Sequence, residues 1–197
     1  MSSKQWEDLR KTFYKRELLS ACQWINRGDV LLECAKMLEA EVKELWTSWR
    51  RHLKDEKISI TGGKYTGVYF MLISYAVENF LKAFIVRVKK NELESVLNSA
   101  DNPKFPKILK SHNLVKLARE ACFPIRDQLQ EDLLRRLARS AVWYGRYPVA
   151  TNFHRANKER FLDGKEYDTS LFREIDVEEV NILIEQIREE RYQVFGY

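Results

Sequence analysis

The chain has 197 residues, a formal net charge of +5, 45% hydrophobic residues and 32% charged residues. This length corresponds to one domain with a sizeable core, and the composition is typical of a globular rather than a disordered protein. Only 7 Gly and 4 Pro are present, which disfavours an all-β fold with many turns. We therefore expect a single all-α domain over residues 1–197.

Neither a membrane segment, an export signal nor a metal site is expected. The longest uncharged stretch of the apolar region, Tyr65 to Val77, is short for a bilayer span, and the first residues contain no apolar run. Cys22, Cys34 and Cys122 are odd in number and form no CxxC pair, which is typical of a reduced cytoplasmic compartment. The histidines are scattered, so we predict no metal and no cofactor.

Charge is unevenly distributed along the chain. Residues 174–197 hold seven acids against two arginines, so residues 1–173 carry +10. A body this basic suits an anionic partner such as nucleic acid or a nucleotide, although ordinary solvated Lys and Arg side chains explain it equally well. The acidic C-terminal segment either docks a basic partner or neutralises the protein's own basic body.

The N-terminal part predicts two helices followed by a loop. Apolar residues recur at helical spacing over residues 4–22 and again over about 30–53. The Arg-Gly-Asp segment at 27–29 interrupts the pattern, with Asp29 as the N-cap of the second helix. Residues 54–64 are predicted as a loop.

Residues 65–90 are the most apolar part of the chain and predict a central, buried helix. Three polar residues in it, Ser74, Glu78 and Lys82, fall at i, i+4 and i+8 on one stripe. Glu78 precedes Lys82 in the order that favours an ion pair. The stripe is either a partly buried salt bridge between helices or a polar patch at a cleft or subunit interface.

Further helices are predicted towards the C-terminus. They cover residues 91–98, 114–121, 127–146 and 177–194, separated by loops at 101–110 and 149–174. Asp176 and Glu179 have the spacing of a capping box at the start of the last helix.

Several catalytic and nucleotide-binding motifs are absent from the sequence. It contains no P-loop, no G-x-G-x-x-G fingerprint and no G-x-S-x-G nucleophile elbow. The absence of an H-x-x-x-H pair disfavours a zinc hydrolase. These classes of site are therefore set aside.

Residues 135–154, RRLARSAVWYGRYPVATNFH, combine arginines, aromatic residues and a histidine. Guanidinium groups bind phosphate and aromatic rings stack on bases, so this composition indicates RNA or nucleotide recognition. Arg146 lies at a predicted helix end, a conformationally special position, and Arg139 and Tyr147 are further candidates. The alternative is a solvated arginine face with the aromatic side chains in the core.

Two histidines are candidates for chemistry. His154 could act as general acid or base when RNA is cleaved by its own 2′-hydroxyl, with Arg146 stabilising charge on phosphorus. The alternative is a loop histidine without a role. His112 precedes a predicted helix, where it either caps that helix or reaches a cleft.

Three short segments occur in an order that resembles the HEPN family of small helical domains. They are AVENFLKAF (76–84), SHNLVKL (111–117) and RRLARSAVWYGRYP (135–148). HEPN domains occur in prokaryotes and higher eukaryotes and bind nucleotides. The resemblance covers roughly residues 30–150.

This resemblance implies an up-and-down bundle of roughly four to five helices that usually dimerises. Glu78 and Lys82 match the family's acidic and lysine positions, His112 matches its histidine, and Arg146 matches the arginine of its R-Y-P segment. Many members are metal-independent ribonucleases of toxin–antitoxin, abortive-infection and other defence systems. Their catalytic Arg and His lie closer in sequence than Arg146 and His154, which seven residues separate here.

Three functions follow. The first is a HEPN-like protein of a toxin–antitoxin or phage-defence system that binds nucleotide or RNA in a polar cleft. The residues predicted for that cleft are Glu78, Lys82, His112, Arg139 and Tyr147. The second is a metal-independent endoribonuclease with Arg146 as phosphate ligand and His154 as acid or base. The third is a non-catalytic helical homodimer that docks onto a partner such as an antitoxin or a nucleotidyltransferase.

Overall fold

The computed structural model describes residues 2–99, 101–144, 159–160, 166–167 and 172–196. Its α-helices are α1 (Ser3–Leu18), α2 (Ala21–His52), α3 (Thr66–Val88), α4 (Lys90–Asn98), α5 (Leu114–Glu120), α6 (Gln128–Arg139) and α7 (Ile175–Phe195). A 3-10 turn covers Lys107–Lys110, and a π-helical turn, Ser140–Tyr144, continues α6. The predicted all-α class is confirmed.

Five of these helices, α1, α2, α3, α6 and α7, have 12 or more residues. The up-and-down bundle of four to five helices implied by the resemblance stays a prediction. The strands in the described part are two residues long. β1 (Glu159–Arg160) pairs with β2 (Glu166–Tyr167) in antiparallel fashion, within the segment predicted as a long loop.

The central helix of the core is α3, as the sequence predicts. Fifteen of its 23 residues are buried. It packs most extensively against α2 and also contacts α4, α5, α6 and α7. Because full burial of one large apolar side chain contributes about 1.5–3 kcal/mol, this helix supplies much of the hydrophobic stabilisation of the fold.

By length and composition, α3 could also cross a membrane, with a mean hydropathy of 1.4 over an 18-residue window. The prediction of no membrane segment relied on the short length of the uncharged stretch Tyr65 to Val77. That criterion is stricter than the mean hydropathy over such a window. In the folded chain 72% of this window is buried inside the protein. Such burial is the property of a core helix.

The predicted helix break at residues 27–29 is wrong, because α2 runs through it without interruption. Gly28 is buried inside α2, and a Cβ atom there would lie 2.5 Å from Cε1 of Phe80 on α3. Glycine is therefore needed where the two helices approach closely, and not to end a helix. Asp29 is not an N-cap; its carboxylate binds Arg191 of α7 at 3.0 Å.

The predicted loop between α2 and α3 is confirmed and is held by side chains of α2. The Glu41 carboxylate accepts hydrogen bonds from the backbone N–H groups of Lys64 and Tyr65, at 3.1 and 3.2 Å. These bonds satisfy donors at the start of α3 that have no partner within the helix. Ser48 Oγ accepts from the N–H of Thr61 and donates to its carbonyl oxygen.

A buried ion pair joins α6 to α7. Arg136 donates through Nη2 and Nε to the two carboxylate oxygens of Asp176, at 2.6 and 3.2 Å. The two side chains are 5% and 0% exposed. The predicted capping box is therefore wrong, since Asp176 binds Arg136 and Glu179 accepts a hydrogen bond from Arg126 at 2.7 Å.

Three acids around the start of α7 thus bind arginines of the protein itself, whereas Glu178 is exposed. Besides the pairs with Arg136 and Arg126, Glu174 lies 3.1 Å from Arg50 at the end of α2. This arrangement favours internal neutralisation over a free acidic arm for a basic partner.

We expect Gly28→Ala to lower the free energy of unfolding by about 1–3 kcal/mol, because the added methyl group must displace the buried Phe80 ring. In an uncrowded helix the same change would raise stability by up to ~1 kcal/mol. Urea denaturation measures whether the free energy of unfolding falls or rises, with Lys36→Ala on the exposed face of α2 as the control. A stabilised Gly28→Ala protein would contradict the close approach of the two helices.

Candidate functional site

Glu78, Lys82 and His112, three of the predicted site residues, meet in the structure. Lys82 Nζ donates a hydrogen bond to Glu78 Oε1 at 2.5 Å, and Glu78 Oε2 accepts one from His112 Nδ1 at 2.8 Å. The first two residues lie one turn apart on α3, whereas His112 is 34 residues from Glu78 and precedes α5. We call these three residues the Glu78 cluster.

The cluster runs from the core to the surface. The Glu78 and Lys82 side chains are 7% and 6% exposed, whereas the His112 side chain is 56% exposed. Charges are stable in a core helix only when they are paired, and these two pair within α3. Lys82 is buried and contacts Glu78, which in turn holds the exposed imidazole. Its role in ligand binding stays a prediction.

His112 does not cap α5, one of the two alternatives that the sequence left open. The N-cap is Asn113, whose side-chain oxygen accepts a hydrogen bond from the backbone N–H of Lys116 at 2.9 Å. Ser111 in turn accepts a hydrogen bond from the Asn113 N–H at 3.2 Å. With the capping role filled by its neighbour, the His112 ring is available to Glu78.

The orientation of the imidazole determines what it can do chemically. Glu78 engages Nδ1, and Nε2 of His112 has no hydrogen-bond partner in the described part of the chain. A neutral ring held through Nδ1–H presents Nε2 as an acceptor, and a protonated ring presents it as a donor. The exposed nitrogen can therefore accept a hydrogen bond from a hydroxyl group or donate one to a phosphate oxygen.

Trp24 is a part of this site that the sequence analysis missed. Lys82 Nζ lies 5.6 Å from the centroid of the Trp24 ring, within the range of a cation–π interaction. The indole N–H donates to the Leu18 carbonyl oxygen at 2.9 Å, and the ring meets Phe105 edge to face at 6.3 Å. Trp24 falls in the region where a helix end was predicted, so no helical face could be assigned to it.

Of the other predicted site residues, the structure describes Arg139 alone. Arg139 is partly buried at the end of α6, where burial and then the charges of Arg136 and Arg135 lower its pKa to about 10. Arg146, Tyr147 and His154 lie outside the described residues, and so does the predicted end of the 127–146 helix.

No group of three or more His, Cys, Asp or Glu side chains in the described ranges could hold a metal ion. Cys22, Cys34 and Cys122 are exposed and form no disulfide bond with one another. The chemistry available at the Glu78 cluster is therefore that of an oriented imidazole backed by a carboxylate.

We expect Glu78→Ala to lower the free energy of unfolding by about 3–5 kcal/mol, because it leaves the Lys82 ammonium buried without its partner. The double variant Glu78→Leu/Lys82→Met replaces both charges by apolar groups, so it should be more stable than Glu78→Ala. Denaturation curves at pH 7 measure both. The single variants Glu78→Leu and Lys82→Met complete the comparison. If the double variant loses as much free energy of unfolding as these two single variants lose together, a buried ion pair is contradicted.

Comparisons with known proteins do not identify a relative. No family model matches the chain, and searches of the curated proteins and of the solved structures return no match. The resemblance to HEPN domains therefore rests on the three sequence segments quoted above.

Proposed function

We propose that this protein is a HEPN-like domain that binds a nucleotide or RNA at the Glu78 cluster. The observation that carries this proposal is the convergence of Glu78, Lys82 and His112. They are the positions that match the first two HEPN-like segments, and hydrogen bonds join them although 34 residues separate Glu78 from His112.

Within this proposal His112 is the residue that contacts the ligand, and Glu78 and Lys82 position it. The imidazole is the exposed member of the cluster. Its Nε2 donates to a phosphate oxygen when the ring is protonated and accepts from a ribose hydroxyl when it is neutral. The +10 charge of residues 1–173 favours an anionic ligand at this surface.

The wider role in a toxin–antitoxin or phage-defence system, with an antitoxin or nucleotidyltransferase as partner, follows from the resemblance and is part of the same proposal. Metal-independent RNA cleavage by Arg146 and His154 remains the alternative activity. This activity predicts that the wild type shortens RNA in the presence of EDTA, and the experiment below detects such shortening.

We expect His112→Ala to weaken binding of a fluorescein-labelled single-stranded RNA of about 12 nucleotides by roughly tenfold, since one hydrogen bond to a charged group is lost. Fluorescence anisotropy in EDTA measures the affinity, and thermal shift with ATP measures mononucleotide binding. The matched control is His52→Ala, which removes an imidazole that contacts the Ile58 carbonyl at 2.8 Å in the α2–α3 loop.

Equal binding by wild type and His112→Ala would contradict the proposed site. Binding of neither RNA nor ATP by the wild type would contradict the proposed function. Shortening of the RNA by the wild type, lost in both Arg146→Ala and His154→Ala, would establish the ribonuclease alternative.

A second observation favours the homodimer. On α1, Trp6, Leu9 and Phe13 are 51%, 50% and 55% exposed. The helix meets the body through other residues, with Lys15 bonded to Asn98 at 2.8 Å and Leu18 buried. We propose that a second copy of the chain covers this stripe. Its i, i+3, i+7 spacing forms a seam that can pair with itself about a two-fold axis.

We expect the double variant Trp6→Gln/Phe13→Gln to convert a dimer into a monomer, because it removes the two large aromatic side chains of the seam. Size-exclusion chromatography with light scattering measures the mass. Met37→Gln is the control, since Met37 is 81% exposed on α2 and lies outside the stripe. A wild type that stays monomeric at high concentration, or a dimer unaffected by the double variant, would contradict this interface.

A further inference from the structure

A strongly basic segment adjoins the Glu78 cluster. Residues 102–119 contain no Asp or Glu in a chain that has 29 acids. They connect α4 to α5 and include α5 except for its last residue, Glu120. Their exposed lysines, which we call the lysine strip, are Lys104, Lys107, Lys110 and Lys116.

The charge of the lysine strip is not cancelled by neighbouring carboxylates. None of the four lysines forms a salt bridge within the described ranges. At its C-terminal edge, Glu120 pairs with Lys89 at 2.5 Å, and Glu131 with Arg135 at 2.5 Å, while Asp101 at its N-terminal edge is exposed. The two buried acids of α7, Asp176 and Glu179, likewise bind other arginines. The strip therefore keeps its positive potential for a partner outside the chain.

The 3-10 turn places two of these lysines on one side and ends two residues before His112 in the sequence. Lys107 and Lys110 open and close the 3-10 turn, whose three residues per turn bring them to the same side, about 6 Å apart along the axis. His112 lies between Lys110 and Lys116 in the sequence and is itself exposed. A strand that followed the strip would pass the imidazole of the Glu78 cluster.

The surroundings favour a nucleic acid over a membrane surface. A membrane-binding segment needs exposed apolar side chains among its basic residues. No large hydrophobic side chain of residues 102–119 is exposed, since Leu109 and Leu114 are buried and Phe105 packs on the Trp24 ring. A row of exposed lysines supplies the positive charge with which proteins follow the backbone of a single strand.

We propose that the lysine strip is the phosphate track of a single-stranded nucleic acid that passes His112. This inference rests on the proposed function and specifies its ligand as a strand of several nucleotides rather than a mononucleotide. Each lysine neutralises a backbone phosphate and releases its counterions, so the binding is independent of sequence and steeply dependent on salt.

The test compares two quadruple Lys→Gln variants with the same loss of charge. The first changes the lysine strip, and the control changes four exposed lysines elsewhere, Lys4, Lys36, Lys54 and Lys57. Anisotropy with a labelled single-stranded RNA of about 12 nucleotides is measured at several salt concentrations. We expect the strip variant to bind at least about tenfold more weakly, with a salt slope reduced by about 3, and the control to resemble the wild type.

ATP binding by thermal shift separates this inference from the proposed function. Loss of RNA binding with ATP binding retained supports both. RNA binding equal to wild type in the strip variant overturns the track and leaves the His112 site intact. Loss in the strip variant but not in His112→Ala supports the track and overturns the His112 site.

Three further results overturn the track. They are an equal loss in the strip and control variants, equally tight binding of duplex RNA, and no RNA binding by the wild type. Circular dichroism of each variant confirms that it is folded before its binding is compared.

Discussion

The burial of α3 on most of its surface is the constraint on which the rest of this fold depends. A helix with fifteen buried residues needs neighbours on several sides, and α2, α5, α6 and α7 provide them. The closest approach is at Gly28 of α2, where the Phe80 ring occupies the space of a side chain. The helix pair at the centre therefore fixes both the spacing of the core and the course of α2.

The same burial gives the Glu78 cluster its properties. A carboxylate in a core helix requires a partner, and Lys82 supplies one a turn away. The second carboxylate oxygen is then free to hold His112 at the surface. An exposed histidine would otherwise rotate among several rotamers, whereas this one is hydrogen-bonded to a buried carboxylate of the core helix. Ion pairing and the orientation of the imidazole are linked here, because Glu78 binds both Lys82 and His112.

Sequence reasoning succeeded where the information is local and failed where it is not. The apolar character of residues 65–90 and the i, i+4 spacing of Glu78 and Lys82 were sufficient to predict α3 and its ion pair. Gly28 was taken as a helix breaker, because its reason for being glycine lies in Phe80, distant in the sequence. Asp176 has the spacing of a capping residue, yet its partner Arg136 is 40 residues away. Neither contact can be recognised from the residues that are neighbours in the sequence.

The distribution of paired and unpaired charge separates two surfaces of the molecule. At the start of α7, three acids are bound to Arg50, Arg126 and Arg136, so their charges are neutralised from within. The lysine strip has no such partners in the described part of the chain, although the protein contains almost as many acids as bases. Unpaired like charges raise the free energy of the folded state through mutual repulsion. In the lysine strip, which lies beside an oriented histidine, the binding of an anion relieves this repulsion.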